Sequence, residues 1–127
     1  MSHPKERFSI KAKLRSFKYA FSGIFSLLKN EHNAWIHCVA TIVAVSGGLW
    51  LGLNGMEWLF VVGAILLVFA LEMINTAIER VCDAITTEID PMIKQAKDLA
   101  AGAVLVGALF ALTVTGVIIY NHRREIF

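Results

Sequence analysis

Two long stretches of this chain carry no charged side chain, and they constrain its fold more than any other feature. Residues 38–56 give 19 consecutive uncharged positions, and residues 99–120 give 22. A helix that crosses a bilayer needs about 20 apolar residues, because each residue advances the helix by about 1.5 Å. Each stretch is therefore predicted to span a membrane.

A third apolar stretch lies between these two and runs into a polar segment. Residues 58–71 are uncharged over only 14 positions, but the helical spacing of apolar residues continues beyond them. We interpret this region as one helix with a polar far end. The prediction is an all-α integral membrane protein whose core, residues 32–127, contains three spans at about 33–54, 57–85 and 98–120.

The composition agrees with a membrane protein and argues against a soluble or disordered chain. Hydrophobic residues make up 57% of the sequence and charged residues 17%, whereas about 25% charged is usual in soluble domains. The net charge of +2 is too small to indicate a nucleic-acid partner. Cys38 and Cys82 match neither a zinc motif nor a disulfide framework, so we expect two free thiols.

Residues 1–31 precede the spans and are predicted to form a basic amphipathic surface helix. Seven lysines and arginines against two glutamates give this segment a charge of +5. Such a helix lies on an anionic membrane surface or packs on the protein's own spans. The apolar residues that recur on one helical face are Leu14, Phe17, Phe21, Ile24, Phe25 and Leu28.

The basic residues also predict an orientation. By the positive-inside rule the N-terminal segment stays in the cytoplasm. Three spans then place the Asn54–Glu57 turn outside, the 84–98 connection inside and the C-terminus outside. Arg123 and Arg124 oppose this orientation, but the N-terminal excess of positive charge is larger. We expect a multi-pass membrane protein with a cytoplasmic N-terminus.

The polar end of the second span has its polar residues on one face. At 100° per residue they fall within a sector about 80° wide. A charge near the bilayer centre costs about 2.5–3.5 kcal/mol, so this face must meet protein, water or a cation. One alternative is a purely structural set of hydrogen bonds, or salt bridges with Arg80 or Lys97. We call these residues the acidic strip: Glu72, Asn75, Glu79 and Asp83.

Clustered carboxylates suit a hard cation such as Mg²⁺, and Mg²⁺ with lysine is a common set for phosphoryl transfer. The chain contains neither GxxxxGK[ST] nor GxGxxG. From spacing alone, a proton-coupled oligomeric transporter with Glu72 as carrier is an equal alternative to an enzyme. A non-catalytic assembly subunit, whose acids pair with a partner, is a third. ATP binding would separate the enzyme from the transporter.

The segment ALEMINTAIERVCDAITTE, followed by AKDLAAGAV, resembles the prokaryotic diacylglycerol kinase family, which includes undecaprenol kinases. The family pattern E-x-x-N-(S/T)-A-I-E-x-x-x-D matches residues 72–83, and A-K-D matches residues 96–98. The similarity extends over roughly residues 12–118. It implies a homotrimeric membrane kinase that uses ATP and Mg²⁺ to phosphorylate diacylglycerol or undecaprenol.

The resemblance also implies roles for the residues that match the family. Glu72 would be the general base toward the lipid hydroxyl. Glu31 and Glu79 would hold the metal, and Asp83 would support the site. The residues that would bind the lipid are Arg15, Trp50 and Glu72. The residues that would bind ATP are Tyr19, Glu31, Asn75, Glu79, Glu88, Asp90, Lys97 and Asp98.

The lipid substrate stays open between the two alcohols. Residues 100–102 read Ala-Ala-Gly where the enterobacterial diacylglycerol kinases carry Gly-Ser-Ala, so a hydroxyl is missing. His37 stands where those enzymes carry glutamate and where undecaprenol kinases of Gram-positive type tend to have histidine. Both differences favour undecaprenol. Trp50 favours diacylglycerol, because the enterobacterial enzymes also have tryptophan there.

Overall fold

The computed structural model describes residues 8–127, which form helices and no strands. Three helices are long and apolar enough to cross a membrane. The predicted all-α membrane fold is confirmed. Residues 1–7 of the predicted surface segment lie outside the described residues. The helices are α1 (Ile10–Asn30), α2 (His32–Leu51), α3 (Gly55–Ile85), α4 (Pro91–Asn121) and the short α5 (Arg123–Ile126).

A single residue separates α1 from the first span. Glu31 has an extended backbone (φ −110°, ψ 120°), follows the last residue of α1 and precedes the first residue of α2. The amide of Glu31 donates to the carbonyl of Leu27, and this is the last hydrogen bond of α1. Leu27 is also the buried residue of α1, whereas Phe17 and Phe21 are exposed. The aromatic face of α1 is therefore free to meet a membrane surface or another chain.

The turn between α2 and α3 is short and closely bonded. Gly52 adopts the left-handed conformation (φ 67°), which glycine reaches without steric cost. The amides of Gly52 and Leu53 donate to the carbonyl of Gly48 at 3.0 and 3.2 Å. Asn54 and Glu57 then form a reciprocal capping box at the start of α3. The first two spans are consequently antiparallel neighbours.

The apolar core lies at the end of the bundle that contains this turn. Most other large apolar residues of the spans are exposed, such as Leu66 and Leu112. In a bilayer these faces contact lipid or other chains. The core residues are Leu53, Val61, Ala64, Val114 and Ile118.

Helices α3 and α4 approach closely because small residues of α4 face α3. Gly107 and Ala100 are buried at this interface. A Cβ atom added to Gly107 would lie 2.5 Å from Cδ1 of Leu71. Small residues permit such close contact between membrane helices.

The helix that contains the third predicted span begins before that span. The carboxylate of Asp90 accepts the amides of Met92 and Ile93 at 2.8 and 3.2 Å, and Pro91 occupies the first helical position. These capping residues start the helix at Pro91, and the membrane span predicted at about 98–120 lies within it. Residues 91–97 are helical and only residues 86–90 connect α3 to α4. Lys97 and Asp98 therefore lie on a helix.

Packing at Gly48 supports a stability prediction. A Cβ atom at Gly48 would lie 2.7 Å from Cη2 of Trp58 and 3.0 Å from Cδ1 of Leu53. The indole is rigid and packs against the core, so we expect Gly48→Ala to lower the free energy of unfolding by about 1–3 kcal/mol. Gly47→Ala is the matched control, because no atom lies within 4 Å of its added Cβ. Denaturation in detergent micelles measures both, and equal stabilities would contradict the packing argument.

The C-terminus of α4 is tied to the start of α3. Nε2 of His122 lies 3.0 Å from Oε2 of Glu57, and Nδ1 lies 3.2 Å from Oε2 of Glu125. Two hydrogen bonds raise the pKa of His122 above its ordinary value; the one with Glu57 has the larger effect and the one with Glu125 the smaller. The folded state thus favours the protonated imidazole, and the interaction is strongest when His122 is charged.

This contact predicts a pH-dependent stability. The pKa of His122 is higher in the folded state than its ordinary value of 6.5. The stability that protonated His122 adds to the fold is therefore complete below pH 6.5 and is lost as the pH rises through the folded-state pKa. We expect wild type to unfold at a higher temperature than His122→Gln at about pH 6, and the difference to shrink toward about pH 9. Thermal unfolding in micelles measures this difference. A gap that stays constant with pH would show that protonation of His122 does not matter.

Candidate active site

The acidic strip runs along α3 from a buried to an exposed environment. Glu72 is only 2% exposed and Asn75 is also buried, whereas the side chain of Asp83 is 60% exposed. Glu72 and Glu79 are separated by about 10 Å along the helix axis, since each residue rises about 1.5 Å. The strip therefore connects the interior of the bundle with the end that carries the α3–α4 connection.

The carboxylate of Glu72 is contacted from α2. Nδ2 of Asn33 lies 3.5 Å from Oε1 of Glu72, and Nε2 of His37 lies 3.6 Å from Oε2. Both distances are longer than those of strong hydrogen bonds. Catalytic hydrogen bonds are often long before substrate binds, so this geometry is compatible with a general base.

Neither Asn33 nor His37 is among the site residues that the sequence predicts. The signal was present, because residues four apart on a helix lie on the same face. The sequence does not show how α2 is rotated about its axis, and this rotation turns the face with Asn33 and His37 toward Glu72. The ring of His37 also packs edge-on against Phe69 of α3, with ring centroids 5.9 Å apart.

Two buried polar atoms beside Glu72 have no hydrogen-bond partner among residues 8–127. They are Oδ1 of Asn75 and Oγ1 of Thr76. The amide nitrogen of Asn75 lies 3.5 Å from Oε1 of Glu79. Leaving a buried polar atom unpaired costs about 1–3 kcal/mol. Such atoms are available to a bound ligand.

Arg80 links the end of α1 to the strip. Its Nη2 lies 3.6 Å from Oε1 of Glu31, and its Nη1 donates to Oγ of Ser26 at 3.3 Å. Arg80 directly follows Glu79 in α3. The two contacts therefore place the carboxylate of Glu31 beside the turn of α3 that carries Glu79. Arg80 thus pairs with Glu31 rather than with a residue of the strip.

Glu31 and Glu79 carry carboxylates, which are oxygen donors of the kind that a hard cation such as Mg²⁺ prefers. In the part of the chain that the structure describes, no group of three or more His, Cys, Asp or Glu side chains could hold a metal ion. Mg²⁺ is usually bound by one or two carboxylates together with water and substrate phosphates. Two hard oxygen ligands at the accessible end of the strip are consistent with that arrangement.

Lys97 lies on α4 opposite the exposed end of the strip. Its Nζ is 2.6 Å from Oδ1 of Asp83. A salt bridge between Lys97 and the acidic strip is one of the structural alternatives considered above, and it forms at Asp83. Asp98 pairs with Lys94 at 2.5 Å, and both side chains are exposed.

The other candidate residues lie around this centre. Tyr19 is exposed and lines a cavity of about 400 Å³ between α1 and α3, together with Thr76. Glu88 is exposed in the connection, and the capping bonds of Asp90 engage one of its oxygens. Arg15 is exposed on α1.

Trp50 is separated from the strip. It is 72% exposed and lies thirteen residues beyond His37 on α2, which corresponds to about 20 Å along the helix. The structure thus brings Asn33 and His37 to Glu72, while Trp50 lies near the opposite end of the bundle.

Residues 18–119 match the profile of a family described as prokaryotic diacylglycerol kinase. The chain belongs to this family. The matched range contains the whole acidic strip as well as Glu31 and Lys97. This match confirms the family that the sequence motifs indicate. The protein is therefore a lipid kinase.

Individual family members agree in length with this chain. An undecaprenol kinase of Bacillus subtilis is 37% identical over 106 residues, covering 84% of this chain and 85% of the relative. A diacylglycerol kinase of Haemophilus influenzae is 31% identical over 105 residues, with coverage of 83% and 86%. A diacylglycerol kinase of Escherichia coli is 27% identical over 109 residues, with coverage of 86% and 89%. The similarity therefore covers most of each protein.

Proposed function

We propose that this lipid kinase transfers the γ-phosphate of ATP to the hydroxyl group of a membrane lipid alcohol and requires Mg²⁺. The observation that carries the proposal is the position of Glu72. This buried carboxylate follows fourteen uncharged residues, and the strip leads from it to the exposed side chains of Asp83 and Lys97. A lipid hydroxyl would approach from the apolar side and a charged nucleotide from the exposed end.

In this mechanism Glu72 accepts the proton of the lipid hydroxyl as that oxygen attacks the γ-phosphorus in line. The bond between the γ-phosphorus and the β–γ bridging oxygen breaks, and ADP leaves on the opposite side. Burial excludes water from the carboxylate and so limits competing hydrolysis. Lys97, which pairs with Asp83, would approach the phosphates. Oδ1 of Asn75, which has no hydrogen-bond partner among residues 8–127, would accept a hydrogen bond from the bound substrates.

Glu31 and Glu79 would hold Mg²⁺, which supplies positive charge against the phosphate oxygens when it is bound. The contact of Arg80 with Glu31 keeps that carboxylate at the same end as Glu79. The remaining residues proposed for nucleotide binding are Tyr19, Glu88, Asp90 and Asp98. Those proposed for the lipid, besides Glu72, are Arg15 and Trp50.

The proposed assembly is a homotrimer in the bacterial inner membrane, with residues 1–31 at its cytoplasmic surface and residues 32–127 as its core. The exposed apolar faces of the spans support association, because three helices of one chain enclose little interior volume. The positive charge of α1 supports its cytoplasmic side. The strip would then open toward the compartment that contains ATP.

Undecaprenol is the acceptor that we favour. The support is the higher identity to the undecaprenol kinase than to either diacylglycerol kinase, 37% against 31% and 27%, and the presence of His37. Diacylglycerol remains the alternative acceptor, and Trp50 supports it.

The test is an assay of the purified protein with γ-labelled MgATP, offering undecaprenol and diacylglycerol in separate detergent mixtures. Glu72→Gln serves as the control. Label on one lipid that disappears in the variant would establish both the reaction and the acceptor. Folded protein that labels neither lipid and binds no ATP would overturn the kinase proposal and favour proton transport through Glu72.

A further inference from the structure

The side chain of His37 lies against the proposed base and has no part in the mechanism described so far. Its Nε2 lies 3.6 Å from Oε2 of Glu72, and Asn33 approaches the other carboxylate oxygen at 3.5 Å. Among residues 8–127, these are the polar side chains that contact this carboxylate. Both belong to α2, so one helix supplies the polar contacts of a carboxylate carried by another.

We propose that His37 is a positioning residue that orients the carboxylate of Glu72 for proton abstraction. This inference rests on the proposed role of Glu72 as general base. With a proton on Nε2, the imidazole is a donor that faces Oε2 at 3.6 Å and needs only a small shift to donate to it. Asn33 steadies the other oxygen, so the rotation of the carboxylate is restricted from both sides.

The geometry of His37 suits this role because its ring is itself restrained. Phe69, which precedes Glu72 by three residues on α3, packs against the edge of the imidazole. The ring of His37 is therefore held by α3 through its aromatic contact with Phe69 and its polar contact with Glu72, which lie on the same helical face. Oγ1 of Thr41 donates to the backbone carbonyl of His37 at 2.7 Å, a bond within α2 that does not touch the ring.

The burial of Glu72 makes its contact with His37 important for the orientation of the carboxylate. Glu72 is nearly inaccessible to solvent, whereas the side chain of His37 is 22% exposed. A buried carboxylate without polar partners is costly and free to rotate among its side-chain conformers. Removing the imidazole would leave Asn33 as its sole polar partner among the described side chains. A misplacement of about 1 Å at a reacting group can cost about 10²-fold in rate.

The experiment compares His37→Ala, His37→Gln and wild type as full-length protein in detergent with undecaprenol and MgATP. We expect His37→Ala to lower kcat about 10–100-fold with little change in the KM for MgATP. Glutamine retains a side-chain N–H donor, so we expect His37→Gln to restore most of the lost turnover. Thr41→Val, which removes a bond to the backbone without reaching Glu72, should keep nearly normal turnover.

A double-mutant cycle separates positioning from a general structural effect. In the Glu72→Gln background, we expect His37→Ala to cause no further loss, because the group that it orients is already disabled. A kcat unchanged in His37→Ala, equal losses in the alanine and glutamine variants, or fully additive losses would each overturn the positioning role. If wild type labels no lipid while folded, the proposed function itself fails, which is a different result.

Discussion

The Glu72→Gln variant is expected to lose about 10²–10⁴-fold in turnover, the range typical of a missing general base. Glutamine has nearly the shape of glutamate and can still contact Asn33 and His37. It cannot accept the proton of a lipid hydroxyl. Because Glu72 is buried, substitution by a neutral side chain also removes the cost of burying a charge, so the protein should fold at least as well as wild type.

The measurement is kcat for labelled phosphate transfer, with thermal unfolding of the same preparation as the check on folding. Glu57→Gln is a useful comparison. Its carboxylate is also largely buried, but it lies in the first turn of α3 and contacts His122. That variant should alter stability and leave turnover close to normal. Turnover near wild type in Glu72→Gln would remove Glu72 from the role of base.

The second large effect is expected in Glu79→Gln, which should raise the Mg²⁺ concentration for half-maximal activity at least about tenfold. Loss even of an indirect partner of a metal ligand typically costs about 10–100-fold in affinity. Glu79 is half-buried near the accessible end of the strip, and its charge is one of two proposed to hold the ion. The KM for the lipid should change little, because the lipid hydroxyl meets Glu72 instead.

A Mg²⁺ titration at saturating lipid, repeated at several ATP concentrations, measures this effect. Direct binding of Mn²⁺ in the presence of ATP, followed by paramagnetic resonance, gives a readout that does not depend on turnover. Glu125→Gln is the matched control, because its exposed carboxylate lies beyond the far end of α4 and has no proposed part in metal or nucleotide binding. If Glu79→Gln and wild type respond identically to the metal, Glu79 is not a metal ligand.

The architecture could be predicted from the sequence because its signals are local. Uncharged stretches gave the three spans, and the 3.6-residue period placed the strip on one face of α3. The span predicted at about 98–120 follows hydropathy, whereas the helix that contains it begins earlier, where the carboxylate of Asp90 caps it. Length and apolarity locate a membrane crossing, but they do not locate the ends of a helix that extends beyond the membrane.

The side-chain contacts between helices could not be predicted from the sequence. The partners of Glu72 lie 39 and 35 residues earlier in the chain, and nothing local indicates that α2 turns them toward α3. Arg80 was expected to pair with the strip if it had a structural role, and the structure pairs it with Glu31. Relative rotation of helices decides such contacts, and it depends on the packing of small residues such as Gly107 against Leu71.

The one-residue interruption at Glu31 makes α1 a lever with its pivot at a proposed metal ligand. A helix of 21 residues is about 31 Å long, so a tilt of about 10° moves its far end by about 5 Å. Arg80 contacts both Ser26 and Glu31 at that end, so we expect the pivot to move less than the far end. Undulations and thickness changes of the bilayer would therefore be absorbed near Ile10, far from the carboxylate that must keep its place.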